Sequence, residues 1–118
     1  MKKLLLFNTH GGQVSFLDIV ARELRTRSGL IVYGCSWWNL PLGDEVMGLF
    51  TPEEHRFGVH AGEIETSLML ALCPEAVDEK HFADNTGWYT KSASEASAGL
   101  GKIGVAMILD HLRSILTN

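Results

Sequence analysis

With 118 residues, 46% of them hydrophobic and 20% charged, the chain has the size and composition of one soluble domain with its own core. Its formal net charge of −4 and the lack of any basic run argue against a nucleic-acid or anionic-membrane surface. No stretch reaches transmembrane length, and the apolar start stops at Asn8, short of a secretion signal. Cys35 and Cys73 form no CxxC pair and read as reduced thiols, with a disulfide as the alternative, so the expected compartment is the cytoplasm.

The chain opens with Leu4-Leu5-Leu6-Phe7, a continuous apolar run directly before Asn8-Thr9-His10-Gly11-Gly12. That pattern predicts a buried parallel strand ending in a tight turn. His10 falls just past the strand's carboxyl end, where ligands bind in open α/β sheets. Gly11 and Gly12 let the backbone turn sharply against whatever His10 holds. The competing reading of His10 is a turn residue bonded to a nearby carbonyl. A helix over 14–27 follows, with Leu17, Val20, Ala21 and Leu24 as its apolar stripe and Arg22, Glu23, Arg25 and Arg27 as a solvated face. Gly29 reads as its C-cap. A second apolar strand over 30–33 completes a strand–helix–strand unit, which implies parallel pairing.

Gly34-Cys35-Ser36-Trp37-Trp38-Asn39 comes next. In an extended segment adjacent side chains point opposite ways, so one of Trp37 and Trp38 would pack inward while the other lines a pocket beside His10. The competing reading makes both of them core or interface anchors. Residues 40–58 read as loop, broken by Pro41, Gly43, Gly48, Pro52 and Gly58. Within it Thr51-Pro52-Glu53-Glu54 predicts a short helix: an N-cap, a proline at the first position and two acids in the first turn. His55 is expected to be structural or exposed.

The segment richest in chemistry is Val59-His60-Ala61-Gly62-Glu63-Ile64-Glu65-Thr66-Ser67, which runs into an apolar stretch. Read as a helix over 61–72, it places Glu65, Leu68, Met69 and Leu72 on one face. Glu65 is then expected to point at the core, where a carboxylate needs a cation, a backbone donor or a metal. Pro74 ends the pattern. Residues 75–97 are polar, although Phe82, Trp88 and Tyr89 are expected to pack. A last helix over 97–116 carries Leu100, Ile103, Met107, Ile108, Leu112, Ile115 and Leu116 as its stripe, with Gly99, Gly101 and Gly104 allowing close packing.

Imidazole and carboxylate together suit a divalent metal such as Zn²⁺ or Mn²⁺. A neighbouring histidine could then carry a proton to a leaving amine. The spacing of His10, His60 and Glu65 is weak evidence by itself, and it is not HExxH. Two motifs carry more. Asn8-Thr9-His10-Gly11-Gly12-Gln13 resembles the Asn-Gly-His-Gly-Gly-Asn signature of the creatininase (creatinine amidohydrolase) family. The segment His60-Ala61-Gly62-Glu63-Ile64-Glu65-Thr66-Ser67 resembles that family's second signature, and the Trp37-Trp38 pair is also similar. The resemblance runs from Leu4 to about Pro74.

It implies a three-layer αβα fold with a mostly parallel sheet, forming one creatininase-like domain. It also implies a two-metal site with Zn or Mn, and hydrolysis of a C–N bond in a small cyclic amide or related compound. By that resemblance His10 and Glu65 are metal ligands, and His60 is the acid/base residue. Trp37 or Trp38, with Gly11, Gly12 and Glu63, would contact the substrate. The family's further ligands come from a Glu-x-His segment followed by an Asp, and no Glu-x-His precedes His10 here. A catalytic metal takes about three protein ligands. The expectation is therefore a homo-oligomer, or a complementing N-terminal-half chain that supplies the rest. The competing expectation is a truncated, non-catalytic remnant or subunit that acts as an oligomeric binding or structural protein. A third reading, a nucleotide or small-molecule binder built on the Gly11-Gly12 turn, lacks both GxGxxG and a lysine-bearing P-loop.

Overall fold

The computed structural model describes residues 2–39, 44, 47–57, 60–84, 87, 88 and 90–118. The contacts within the chain cluster into two compact units: Met1–Gly43 with Asp110–Asn118, and Asp44–Leu109.

The first unit holds β1 (Lys3–Asn8), α1 (Val14–Ser28) and β2 (Ile31–Ser36). The strands pair in parallel, in a register that sets Lys3 opposite Ile31 and Asn8 opposite Ser36. Parallel neighbours need a crossover, and α1 is that crossover. Gly29 ends α1 in the left-handed conformation at φ 64°, as a C-cap glycine does. The buried Ala21 of α1 lies against Gly34, where an added Cβ would come within 3.7 Å of the alanine methyl. The small pair lets helix and strand approach closely. Arg25, expected on the solvated face, instead donates from Nε to the Val32 carbonyl at 2.9 Å and ties α1 to β2. β2 also runs three residues beyond its expected end, through Cys35 to Ser36.

The second unit contains α2 (Pro52–Phe57), α3 (Glu63–Leu72) and most of α4 (Ala98–Thr117). Short 3-10 turns at Pro74–Ala76, Glu79–His81 and Lys91–Glu95 connect α3 to α4. The side of α3 that faces inward is not the expected one. It buries Glu63, Ile64, Thr66, Ser67 and Leu70, while Met69 and Leu72 are 41% and 66% exposed. The physical reason lies on α4, where Gly101 and Gly104 are the buried residues. A Cβ at Gly101 would overlap the Ser67 carbonyl and lie 2.9 Å from the Ala71 methyl. α3 thus turns its small polar side toward a glycine stripe, and its larger apolar residues are left outside. The close packing expected of these glycines is found at Gly101. Ile103 and Leu116, expected in the apolar stripe of α4, are about half exposed, and Trp88, expected to pack, is 63% exposed.

The α/β class with parallel strands holds. Of the three expected layers, the first unit carries the sheet and one helix packed on it. Leu40, Pro41, Gly43, Gly58 and Tyr89, which the sequence reading placed in loops or packed segments, lie outside the described residues. Among the described residues no helix is long and apolar enough to cross a membrane.

Candidate functional site

In the first unit the site residues sit at the carboxyl ends of the paired strands. Asn8 closes β1 and is 1% exposed. Its Nδ2 donates to Ser36 Oγ at 2.9 Å, and its Oδ1 accepts from the His10 N–H at 3.0 Å. One buried amide therefore locks the two strand ends together and fixes the entry to the His10 turn. His10 is extended at φ −133°, and its carbonyl accepts from the Gln13 N–H at 3.2 Å. The imidazole folds back over the turn, so that a Cβ at Gly12 would lie 3.1 Å from His10 Nε2. Gly12 is the residue that leaves the ring this position; Gly11 has open space around it.

Trp37 and Trp38 follow directly on Ser36 in a 3-10 turn, not in the extended segment expected. Both are half-buried, and they pack edge-to-face on each other with ring centres 5.7 Å apart. Such a pair contributes about 0.5–1.5 kcal/mol beyond its buried area. The strand register brings the His10 turn and the tryptophan turn to the same end of the sheet. Asn8, Ser36 and Asn39, which flank these turns, line a cavity of about 380 Å³ that also takes in Arg25 and His111.

In the second unit the site is the N-terminus of α3. Its N-cap is Gly62, which has no side chain to offer the first N–H groups. Glu54 of α2 takes that role. Its Oε2 accepts from the Glu63 N–H at 2.8 Å and its Oε1 from the Ile64 N–H at 3.1 Å. The Ser92 hydroxyl donates to the same Oε2. Glu63 returns the contact: its Oε2 accepts from the Thr51 N–H at 3.0 Å and the Thr51 hydroxyl at 2.5 Å. Thr51-Pro52-Glu53-Glu54 has the spacing of a capping box, in which Glu54 would accept from its own Thr51 N–H. Here the two carboxylates are exchanged, and each helix start is capped by the other helix's glutamate. Glu54 and Glu63 are 3% and 1% exposed, and their bonds to N–H and O–H donors are what makes such burial tolerable.

Glu63, expected among the substrate contacts, is buried here and caps the start of α2. The expectation that Glu65 points into the core is corrected, since Glu65 is exposed. The helix starts at Glu63 rather than Ala61, and Glu65 in its first turn reaches back so that Oε2 accepts from the Ala61 N–H at 2.6 Å. Ala61 is held at φ 47°, a left-handed conformation strained by about 1–3 kcal/mol in a non-glycine residue, and such residues cluster at functional sites. His60 precedes it and is exposed. Beside Glu65 lies a cavity of about 300 Å³ with Met69, Val77 and Phe82 among its walls.

His10, Gly11, Gly12, Trp37 and Trp38 thus belong to the first unit, and His60, Glu63 and Glu65 to the second. Among the described residues no three His, Cys, Asp or Glu side chains gather into a group that could hold a metal ion. The described donors of this chain therefore do not by themselves fit a resident divalent metal. Of the cysteines, both free, Cys35 has its thiol pKa raised by burial. That of Cys73 is raised mainly by the hydrogen bond from its thiol to Glu75 at 2.9 Å.

Sequence reasoning missed Asn8 and Ser36 as a strand-end lock, and Glu54, Thr51 and Ser92 as the frame of the α3 start. The capping-box spacing of Thr51 and Glu54 was the one available signal. Nothing in the spacing shows that Glu54 caps a different helix.

No curated protein and no solved structure matches the chain. The family model described as Creatininase: Creatinine amidohydrolase matches residues 1–108, and the chain, with its His10 turn and its His60 to Ser67 segment both inside that span, belongs to the creatininase family.

Proposed function

We propose that this chain forms part of a metal-dependent amidohydrolase that cleaves a C–N bond in a small cyclic amide or related compound. Family membership over residues 1–108 is the observation that carries the reading. It is supported by the exposure of His60 and Glu65 at the start of α3, beside a strained Ala61 and a cavity large enough for a small ring. In this reading His60 holds and delivers the proton needed by the departing nitrogen. Trp37 or Trp38 supplies a flat apolar wall for the substrate. His10 and Glu65 each serve as a ligand to a different Zn²⁺ or Mn²⁺ of the family's two-metal site, and the remaining donors come from a second copy or a complementing chain, because a catalytic metal takes about three protein ligands. The exposed Phe16, Ile19, Ile31 and Tyr33 of the first unit favour such association.

The lack of a three-donor group among the described residues favours a second reading, a non-catalytic subunit that binds or scaffolds within an oligomer. Elemental analysis of protein purified without chelators, beside a His10→Ala variant, separates the two. The proposal expects bound Zn or Mn in the wild type and its loss in the variant, together with a dimer or larger species in sedimentation at micromolar concentration. Metal-free protein from both preparations leaves the non-catalytic reading, and a strict monomer counts against both.

A further inference from the structure

We propose that Glu54 is a positioning residue for the turn at residues 60–65. The inference rests on the reading of His60 and Glu65 given above. Three observations carry it. First, the Glu54 carboxylate is buried, and among the described residues no cation pairs with it. Its oxygens meet the Glu63 N–H, the Ile64 N–H and the Ser92 hydroxyl, so its work is to hold the first turn of α3. Second, Gly62 lies directly against that carboxylate. A Cβ there would overlap Glu54 Oε2 and stand 3.0 Å from Ser92 Oγ, so the backbone between His60 and Glu63 is pressed onto Glu54. Third, the left-handed Ala61 is strained and needs its neighbours to hold it. On one side Glu65 accepts its N–H at 2.6 Å, and on the other Glu54 fixes Gly62 and Glu63. Release of Glu54 frees Ala61 to relax, and His60 and Glu65 then lose their common frame.

The chain of dependence is specific. Through its bonds to the Glu63 and Ile64 amides, Glu54 acts on His60 and Glu65 by way of the backbone of residues 61–63. A plain helix cap would affect the amides it binds. A positioning residue also moves the Ala61 amide, whose acceptor is Glu65.

Amide NMR of the ¹⁵N-labelled full chain tests this, with Glu54→Gln, Ser92→Ala and, as control, Glu53→Gln. Glu53 is partly exposed and paired with Lys91 at 2.7 Å. In Glu54→Gln the Glu63 and Ile64 amides are expected to exchange about tenfold faster while the thermal midpoint stays within a few degrees. The Ala61 resonance is expected to shift with them, and the Glu53→Gln control to leave all three in place. Response at Glu63 and Ile64 with Ala61 unmoved overturns the proposal and leaves a simple cap. So does no response at any of the three. Should Glu54→Gln fail to fold, Ser92→Ala removes one donor to the same oxygen and gives the same three-amide readout. Mn²⁺ alone, added to the wild type, probes the underlying reading. Absence of paramagnetic broadening around residues 60–65 counts against Glu65 as a ligand and leaves the amide test intact. Where broadening is seen, Glu54→Gln is expected to weaken Mn²⁺ by about tenfold or more; unchanged affinity overturns the positioning role.

Discussion

The two units place a candidate site turn by opposite means. In the first, a parallel strand pair brings the His10 and Trp37-Trp38 turns to one end, and a single buried amide, Asn8, ties the strand ends together. Among its described residues the buried apolar ones are Ala21 and Val32, while Phe16, Ile19 and Tyr33 are more than half exposed. In the second, the turn bearing His60 is held by buried carboxylates and hydroxyls: Glu54, Glu63, Thr66, Ser67 and Ser92 all lie inside. Every described buried side-chain polar atom has a hydrogen-bond partner. The lesson is about failure modes. A hydrogen-bonded polar core is damaged by removing one member, because the partner left behind is buried and unpaired. A thin apolar core with open apolar flanks depends instead on whatever comes to cover those flanks.

The contrast is most sharply broken at the α3–α4 contact. Gly101→Val drives a branched side chain into the Ser67 carbonyl, and a loss of about 3 kcal/mol or more is expected in urea unfolding. A loss below about 1 kcal/mol would show that the helices can part and that the small-residue contact does not hold the second unit together.

A smaller effect sharpens the same point. Glu63→Ala strips the cap from Thr51 inside the protein and is expected to cost about 1–3 kcal/mol. Glu65→Ala, two residues on but exposed, is expected to cost less. The reverse order would mean that α3 buries the other side, as the apolar periodicity of Leu68, Met69 and Leu72 had implied.

That pair shows what the sequence made legible and what it did not. The strand, helix and strand of the first unit were readable because each has a local cause: an apolar run, a periodic stripe and a glycine at the C-cap. His10 at the strand end followed from the same pattern. For α3, two stripes compete. One is large and apolar, through Leu68, Met69 and Leu72; the other is mixed, through Glu63, Ile64, Ser67 and Leu70. Hydrophobicity alone chooses the first. The second wins because α4 offers a glycine surface, on which small residues approach closely enough for backbone contact, and because Glu54 makes Glu63 buriable. Both causes lie far away in the chain, in Gly101 and Glu54, and no local window contains them.

The smallest expected effect concerns the thiols. The Glu75 carboxylate accepts from the Cys73 thiol and stabilises its protonated form, which raises the pKa. Less thiolate is then present near neutral pH, so alkylation of Cys73 is expected to be slow there and to accelerate only above the usual thiol range. Glu75→Gln removes the main cause and is expected to speed the reaction modestly at neutral pH. An unchanged rate would show that the hydrogen bond does not persist in solution.

The backbone contact at Gly101 also acts as an alignment pin. A slip of one residue along α4 would set Leu100 or Lys102 against the Ser67 carbonyl, where not even a methyl group fits. The neighbouring phases of the helix pair are therefore excluded. The phase that seats Gly101 also brings the Ser97 N–H to Ser67 Oγ at 3.0 Å. A one-residue mis-threading of the last helix is thus rejected on shape alone, before any charge or hydrogen bond has been tested.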